Sequence, residues 1–83
     1  MTPEEIKTMI ENGMPDAEVA VDGDGSHFVA RVVSESFAGV PMVKQHQMVY
    51  ATLGDAMGGA IHALSIQSYT PEQWERARKL QVM

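Results

Sequence analysis

Hydrophobic residues recur at the start of the chain with the spacing of an amphipathic helix. In TPEEIKTMIENGMP the apolar stripe consists of Ile6, Met9 and Ile10. Thr2 and Glu5 have the spacing of a capping box, in which each side chain accepts a hydrogen bond from the other residue's backbone N–H. Pro3 suits the first helical position, and Asn12-Gly13 followed by Pro15 ends the pattern. These residues predict a helix between the Thr2 cap and Gly13.

The next segment, AEVAVDGDGSHFVARVVSE, changes to a period of two, which is typical of strands with one buried face. In its first half, Val19 and Val21 alternate with polar or small residues. In its second half, the alternating apolar positions are Phe28, Ala30 and Val32. The segment predicts an antiparallel hairpin. Its turn lies within Asp22 to Ser26, and His27 stands where the turn meets the second strand.

The middle of the chain predicts a loop, a helix and a third strand. FAGVP contains Gly39 and Pro41, which both interrupt regular structure. Helical spacing resumes from Met42 to Leu53, with an apolar side made of Val49, Leu53 and Met57. Gly54 indicates a bend that divides off a second short helix, and Gly58-Gly59 ends it. The stretch IHALSIQSY then predicts a strand over residues 61–69.

The end of the chain repeats the opening pattern. In TPEQWERARKL, Thr70 and Gln73 have the spacing of a second capping box, with Pro71 at the first helical position. The apolar positions expected to face inward are Trp74, Ala77 and Leu80. This segment predicts a final helix.

The predicted order is helix, strand, strand, helix, strand, helix, in a single α+β domain over residues 1–83. The third strand follows a helical crossover, so we expect it to run parallel to the strand it joins, through a right-handed connection. The expected fold is a three-stranded mixed sheet with helices packed on one face.

Composition narrows the function classes. Because the chain has no cysteine, it excludes disulfides, catalysis by a thiolate and any cysteine-based metal site supplied by this chain alone. No serine elbow or catalytic triad pattern is present, so no enzyme activity is expected. No apolar run has the length of a membrane span, and no signal pattern opens the chain, which predicts a cytoplasmic protein without membrane contact. The net charge of −5 disfavours nonspecific binding to nucleic acid.

Three stretches resemble one known family. They are GDGSHF at 23–28, FAGVPMVKQHQMVY at 37–50 and IHALSIQSYTPEQW at 61–74. With the spacing between them, the chain resembles the BolA-like proteins, in particular the bacterial IbaG branch. The resemblance implies the BolA fold, which is related to the type II KH domain, and this agrees with the element order predicted above.

The resemblance also implies a function. BolA-like proteins pair with monothiol glutaredoxins and share a [2Fe-2S] cluster with them, in the trafficking or sensing of iron–sulfur clusters. The family's ligand histidine matches His62, and a second ligand comes from the first hairpin loop, where members carry histidine or cysteine and this chain carries His27. The glutaredoxin cysteine and a glutathione thiol are expected to complete the set of ligands around the cluster. Without the resemblance to this family, each histidine would be interpreted as a structural residue, because no local spacing motif joins the two.

A nucleic-acid-binding transcriptional regulator of a stress or morphology response is the alternative function, with DNA as partner. Its surface would consist of Lys44, His46, Arg76, Arg78 and Lys79. The G-x-x-G sequence that clamps nucleotides in KH domains is absent. Glutamines 45 and 47 also replace the arginines that often flank the family counterpart of His46, so a solvated helix face is the simpler interpretation. A weak homodimer is a further expectation for the cluster-free chain.

Overall fold

The computed structural model of the chain describes residues 1–59, 61 and 63–82. Its regular elements are α1 (Pro3–Gly13), β1 (Glu18–Gly23), β2 (His27–Val33), α2 (Met42–Leu53), β3 (Ala63–Tyr69) and α3 (Pro71–Val82). Short 3₁₀ helices at Glu35–Phe37 and Gly54–Gly58 flank α2, and the second is the short helix predicted after Leu53. The predicted α+β element order is confirmed. Within the described ranges, no helix has the length and apolar character needed to cross a membrane.

The three strands form one sheet in the order β1-β2-β3, with β2 in the centre. β1 and β2 are antiparallel, and Glu18 lies opposite Val33. β2 and β3 are parallel, with His27 opposite Ala63 and Val33 opposite Tyr69. Both the predicted hairpin and the predicted parallel third strand are therefore confirmed, and the crossover that joins β2 to β3 contains α2.

The hydrophobic core lies between one face of the sheet and the helices α1 and α2. Its buried members are Ile6, Ile10, Met14, Val19, Phe28, Ala30, Val32, Phe37, Val49, Leu53 and Ile61. The strand residues among them alternate along β2, as the period of two predicts. The Thr2–Glu5 capping box is also present, with hydrogen bonds of 3.0 and 3.2 Å in the two directions. Thr70 and Gln73 form the second capping box at the start of α3.

α3 departs from the expected packing of every helix on one face. Its Trp74 ring lies 4.1 Å from the guanidinium carbon of Arg31 and 5.4 Å from the ring of Tyr69. Arg31 and Tyr69 belong to the face opposite to the one that carries Ala30 and Val32, because successive strand residues point to opposite faces. α3 therefore contacts the outer face through its first turn, and the expectation that Leu80 faces inward is wrong, since it is 74% exposed.

One buried polar side chain joins three parts of the fold. Gln45 of α2 is 7% exposed. Its amide nitrogen donates hydrogen bonds to the carbonyl oxygens of Phe37 at 3.3 Å and Val40 at 2.8 Å. Its amide oxygen accepts a hydrogen bond of 2.7 Å from the hydroxyl of Ser68 in β3. Gln45 thus holds the loop before α2 and the end of β3 in fixed positions relative to the helix.

We expect Gln45→Met to lower the free energy of unfolding by about 2 kcal/mol, because the substitution keeps the side-chain length and leaves buried polar groups unpaired. Urea unfolding followed by circular dichroism measures the change. Gln47→Met is the matched control, since Gln47 is exposed on the same helix. Equal stability of the two variants would contradict this assignment.

A second polar group joins the α1–β1 connection to the segment after β2. The carboxylate of Asp16 accepts hydrogen bonds from the hydroxyls of Ser34 at 2.6 Å and Ser36 at 3.3 Å. The Ser34 hydrogen bond is the main reason that the pKa of Asp16 is lowered from its ordinary value of 3.8. Because the unfolded chain binds this proton more readily than the folded chain, the hydrogen-bonded carboxylate stabilises the fold above about pH 4.

This stabilisation is expected to disappear as the pH falls through the lowered pKa of Asp16. In Asp16→Asn, the decrease in unfolding free energy between about pH 5 and pH 2 should be smaller than in the wild type, because one group that takes up a proton on unfolding is gone. Urea unfolding at a series of pH values tests this. Asp55→Asn is the control, since Asp55 is exposed on the short 3₁₀ helix that follows α2. An unchanged pH dependence in Asp16→Asn would refute the linkage.

Candidate functional site

His27 is the first residue of β2 and follows a turn that a single carboxylate holds in place. Oδ1 of Asp24 accepts hydrogen bonds from the backbone N–H groups of Ser26 at 3.0 Å and His27 at 2.9 Å. The backbone N–H of Asp24 donates to the carbonyl oxygen of His27 at 3.2 Å. The bonds that the carboxylate accepts, led by the one from His27, lower the pKa of Asp24, so the carboxylate stays charged at neutral pH. The backbone of His27 is therefore fixed, while its imidazole is exposed.

Two glycines allow this turn to form. A Cβ at Gly23 would lie 2.5 Å from the carbonyl oxygen of His27 and 2.5 Å from the ring of Phe28, so no larger residue fits without displacing the strand. Gly25 has a φ of +98°, in the region that only glycine adopts readily. The Gly-Asp-Gly sequence is thus required by the turn itself and leaves His27 free for another role.

The surroundings of His27 are open. Its neighbour Phe28 is 1% exposed and belongs to the core, so the imidazole points away from the core. An open depression of about 520 Å³ beside it is bordered by Asp22, Gly23, Asp24, His27 and Val29. A partner protein can therefore reach the imidazole without displacing any core residue.

His62, the other predicted ligand, lies outside the described residues. The residue before it, Ile61, is buried, and the residue after it, Ala63, is directly opposite His27 in the parallel pair. A joint site of His27 and His62 therefore stays a prediction. Among the described parts of the chain, no group of three histidine, aspartate or glutamate residues is placed to hold a metal ion.

The residues predicted for a partner or nucleic-acid surface are divided between α2 and α3. On α2, Lys44 is exposed and His46 is half-buried, with an Nε2 atom that has no hydrogen-bond partner among the described residues. On α3, Arg76 forms an ion pair of 3.0 Å with Glu72, and Arg78 pairs with Glu75. Lys79 is also on α3, where it is exposed. Because α2 and α3 contact opposite faces of the sheet, these cations do not form one patch.

The sequence alone did not indicate two features near these residues. It placed Asp24 within the hairpin turn and gave it no role, whereas the structure shows that Asp24 holds the backbone of His27. An aspartate three residues before the first residue of a strand was the available signal. A pocket of about 370 Å³ beside Trp74 is also bordered by carboxylates of Asp16, Glu18, Glu35 and Glu75. These four come from three separate parts of the chain, so only the fold brings them together.

Comparisons with known proteins identify the family to which the chain belongs. Residues 2–73 match a family model described as BolA-like protein. Acid stress protein IbaG from Escherichia coli strain K12 is 44% identical over 81 residues, which cover 96% of each chain. A protein of Vibrio cholerae named DNA-binding transcriptional regulator BolA is 40% identical over 74 residues, covering 89% of this chain and 67% of that one.

A solved structure shows the same fold. The structure of a BolA protein homologue from Coxiella burnetii superimposes with a TM-score of 0.85 and 42% identity, covering 92% of this chain and 99% of that one. The match over nearly the whole length, in both sequence and fold, confirms the family expected from the three sequence stretches. This chain belongs to the BolA-like family.

Proposed function

We propose that this chain is an adaptor in iron–sulfur cluster handling, which holds a [2Fe-2S] cluster jointly with a monothiol glutaredoxin through His27 and His62. One observation carries the proposal. The exposed His27 lies directly opposite Ala63, the residue that follows His62 in the sequence. The parallel register thus supports a site at the edge of the sheet where β2 and β3 both begin.

The donor chemistry fits a shared cluster. Imidazole nitrogen is a good ligand for iron, and histidines replace two cysteines on one iron of Rieske-type clusters. Two histidines supply only half of the ligands that such a cluster needs, and the chain has no cysteine. The missing thiolates are therefore assigned to the glutaredoxin cysteine and its glutathione. The cluster would supply reversible ligand exchange or electron acceptance between the two proteins.

The local structure of the hairpin supports a ligand at position 27. A residue that ligates a cluster shared between two proteins must be accessible to the second protein. Its backbone must also be fixed, so that the shared site has a defined geometry. His27 has both properties, since its imidazole is exposed and its N–H is bound to Asp24. Asp24 binds the backbone N–H of His27 and leaves both imidazole nitrogens available to a metal ion.

The proposal predicts a coloured heterodimer when the chain is purified without oxygen together with a monothiol glutaredoxin. Its visible absorption and circular dichroism spectra should differ from those of the glutaredoxin alone. His62→Ala should abolish the heterodimer spectrum, and His27→Ala should weaken it, because each removes one nitrogen ligand.

Gln47→Ala is the control, since Gln47 is exposed on α2, belongs to neither predicted site and leaves the hairpin unchanged. It should keep the wild-type spectrum. A colourless mixture, or a spectrum that is the same in the wild type and both ligand variants, would reject the shared cluster.

DNA binding is the second candidate, and the name of the Vibrio cholerae relative favours it. The arginines of α3 form exposed pairs with glutamates on their own helix, with Arg76 on Glu72 and Arg78 on Glu75. Exposed pairs of this kind contribute little to stability, so a phosphate can compete with the glutamate for the guanidinium. The acidic net charge of −5 acts against this function.

If DNA is bound through α3, the double variant Arg76→Gln/Arg78→Gln should lower the affinity. The slope of log affinity against log salt should also decrease by about one for each phosphate that the variant no longer neutralises. Fluorescence anisotropy of a labelled duplex at several salt concentrations measures both quantities. Glu72→Gln is the control, since it frees Arg76 and should strengthen binding. Affinity that does not change with salt or with these variants would exclude DNA binding through α3.

A further inference from the structure

We propose that a depression on the outer face of the sheet binds the head group of an α-amino acid, with the ligand's carboxylate on Arg31 and its ammonium on Asp22. The depression is open to solvent and has a volume of about 350 Å³. Small-molecule sites in proteins have volumes of roughly 300–1,000 Å³, so a head group of this size fits. The residues that border the depression are Ala20, Val21, Asp22, Val29, Arg31 and Gln67.

The strand register places a short side chain in the middle of this surface. In the pairing of β1 with β2, Ala20 lies opposite Arg31. Two residues further along β1, Asp22 lies opposite Val29. Opposite residues share a face of the sheet, so these side chains lie on the outer face together. Ala20 has only a methyl group, and its neighbours on this face of β1 are the longer Glu18 and Asp22. The depression is therefore the space above Ala20.

The guanidinium of Arg31 is held in place and has no anionic partner. Its carbon lies 4.1 Å from the centre of the Trp74 ring, and this stacking fixes the plane of the group. Its Nε atom is buried without a hydrogen-bond partner among the described residues, so the two Nη atoms are the donors available to a ligand. Two such donors in one plane can bind both oxygens of a carboxylate. In the described part of the chain, ion pairs involve Arg76 and Arg78 but not Arg31.

The carboxylate of Asp22 supplies the opposite charge at this border. Its Oδ1 accepts a hydrogen bond of 3.0 Å from the backbone N–H of Gly23, and the side chain is exposed. Asp22 and Arg31 are diagonal neighbours in the sheet, a relation in which the two residues are roughly 7–8 Å apart. They form no ion pair with each other, because Arg31 stacks on Trp74 instead. Two unpaired opposite charges thus border the same space.

These charges select a ligand that carries both signs. A simple anion would be repelled by Asp22, and a simple cation would be repelled by Arg31. A carboxylate and an ammonium on one carbon satisfy both residues, and this pair of groups is the head group of an α-amino acid. Gln67 lies opposite Arg31 on the other side and is exposed. Its amide offers a further hydrogen bond to the head group.

The head group has two possible sources, a free amino acid and glutathione, whose γ-glutamyl residue keeps both its α-amino and its α-carboxyl group. Asp22 and Val29 border this depression and also the one beside His27. The two depressions are therefore adjacent, and glutathione bound here has its thiol on the side of the predicted cluster. Glutathione as the source rests on the proposed function, whereas the head-group site itself does not.

Titration of the isotope-labelled chain with L-alanine, followed by two-dimensional NMR, tests the site in the absence of iron and glutaredoxin. We expect a dissociation constant on the order of 1 mM, because the site is open and few ligand atoms make contact. The amide signals of Asp22, Arg31 and Gln67 should move. N-acetylalanine lacks the ammonium and alanine amide lacks the carboxylate, so each should bind at least fivefold more weakly than alanine.

Three variants test the residues that form the site. Arg31→Gln and Asp22→Asn each remove one charge, and Ala20→Leu keeps both charges but fills the depression. We expect each to weaken alanine binding at least fivefold. Glu18→Gln is the matched control, since it removes a carboxylate from the same face of β1 but borders the pocket beside Trp74 instead. It should bind alanine as the wild type does. Far-ultraviolet circular dichroism confirms that each variant is folded.

Alanine that shifts none of these signals up to about 20 mM overturns the proposal. Equal binding of alanine and alanine amide, or unchanged binding in Asp22→Asn and Ala20→Leu, overturns it as well. Reduced glutathione, titrated in the same way, identifies the source. Binding that is tighter than that of alanine and is lost in Arg31→Gln assigns glutathione, and binding no tighter than that of alanine assigns a free amino acid. A colourless heterodimer in the cluster experiment would leave this result unchanged, because neither iron nor glutaredoxin takes part in it.

Discussion

The parallel pairing of β2 with β3 is the constraint on which the rest of the structure depends. Parallel neighbours cannot be joined by a tight turn, so the chain leaves the sheet at the end of β2, crosses one face and returns to the edge where β2 began. That crossover contains α2, which supplies Val49 and Leu53 to the core. The same pairing brings the start of β3 beside the start of β2, where His27 lies. A single strand register thus determines both where α2 enters the core and which residue lies beside His27.

Because the hydrophobic core is small, polar side chains help to maintain this strand register. An 83-residue chain has little apolar surface to bury, so a few well-placed hydrogen bonds have a large share in fixing its geometry. Gln45 joins α2 to the far end of β3, and Asp16 joins the segment before β1 to the segment after β2. At the near end, Asp24 holds the turn that precedes β2. Each end of the sheet therefore has its own polar connection.

Much of the fold could be predicted from local patterns, because local patterns determine where elements begin and which of their faces are apolar. The two capping boxes and the change of period between α1 and β1 gave the correct element order. The face of the sheet that α3 contacts could not be predicted in this way. Trp74 and Leu80 were both expected to face inward, but an apolar stripe does not show which side of a sheet it meets. In the structure Trp74 packs against Tyr69, which lies on the outer face of the sheet. The candidate site was less predictable still, since only the strand register brings Ala63 beside His27.

The way Asp24 holds the hairpin turn separates the identity of residue 27 from the stability of the fold. The carboxylate binds the backbone N–H, which every amino acid except proline provides, and the side chain at this position contributes nothing to the core. A thiol could therefore replace the imidazole without repacking the domain. The resemblance to BolA-like proteins implies that histidine and cysteine alternate at this loop, and the turn described here accepts either side chain without a change in the backbone. Evolution can adjust the chemistry of the site here while the scaffold remains the same.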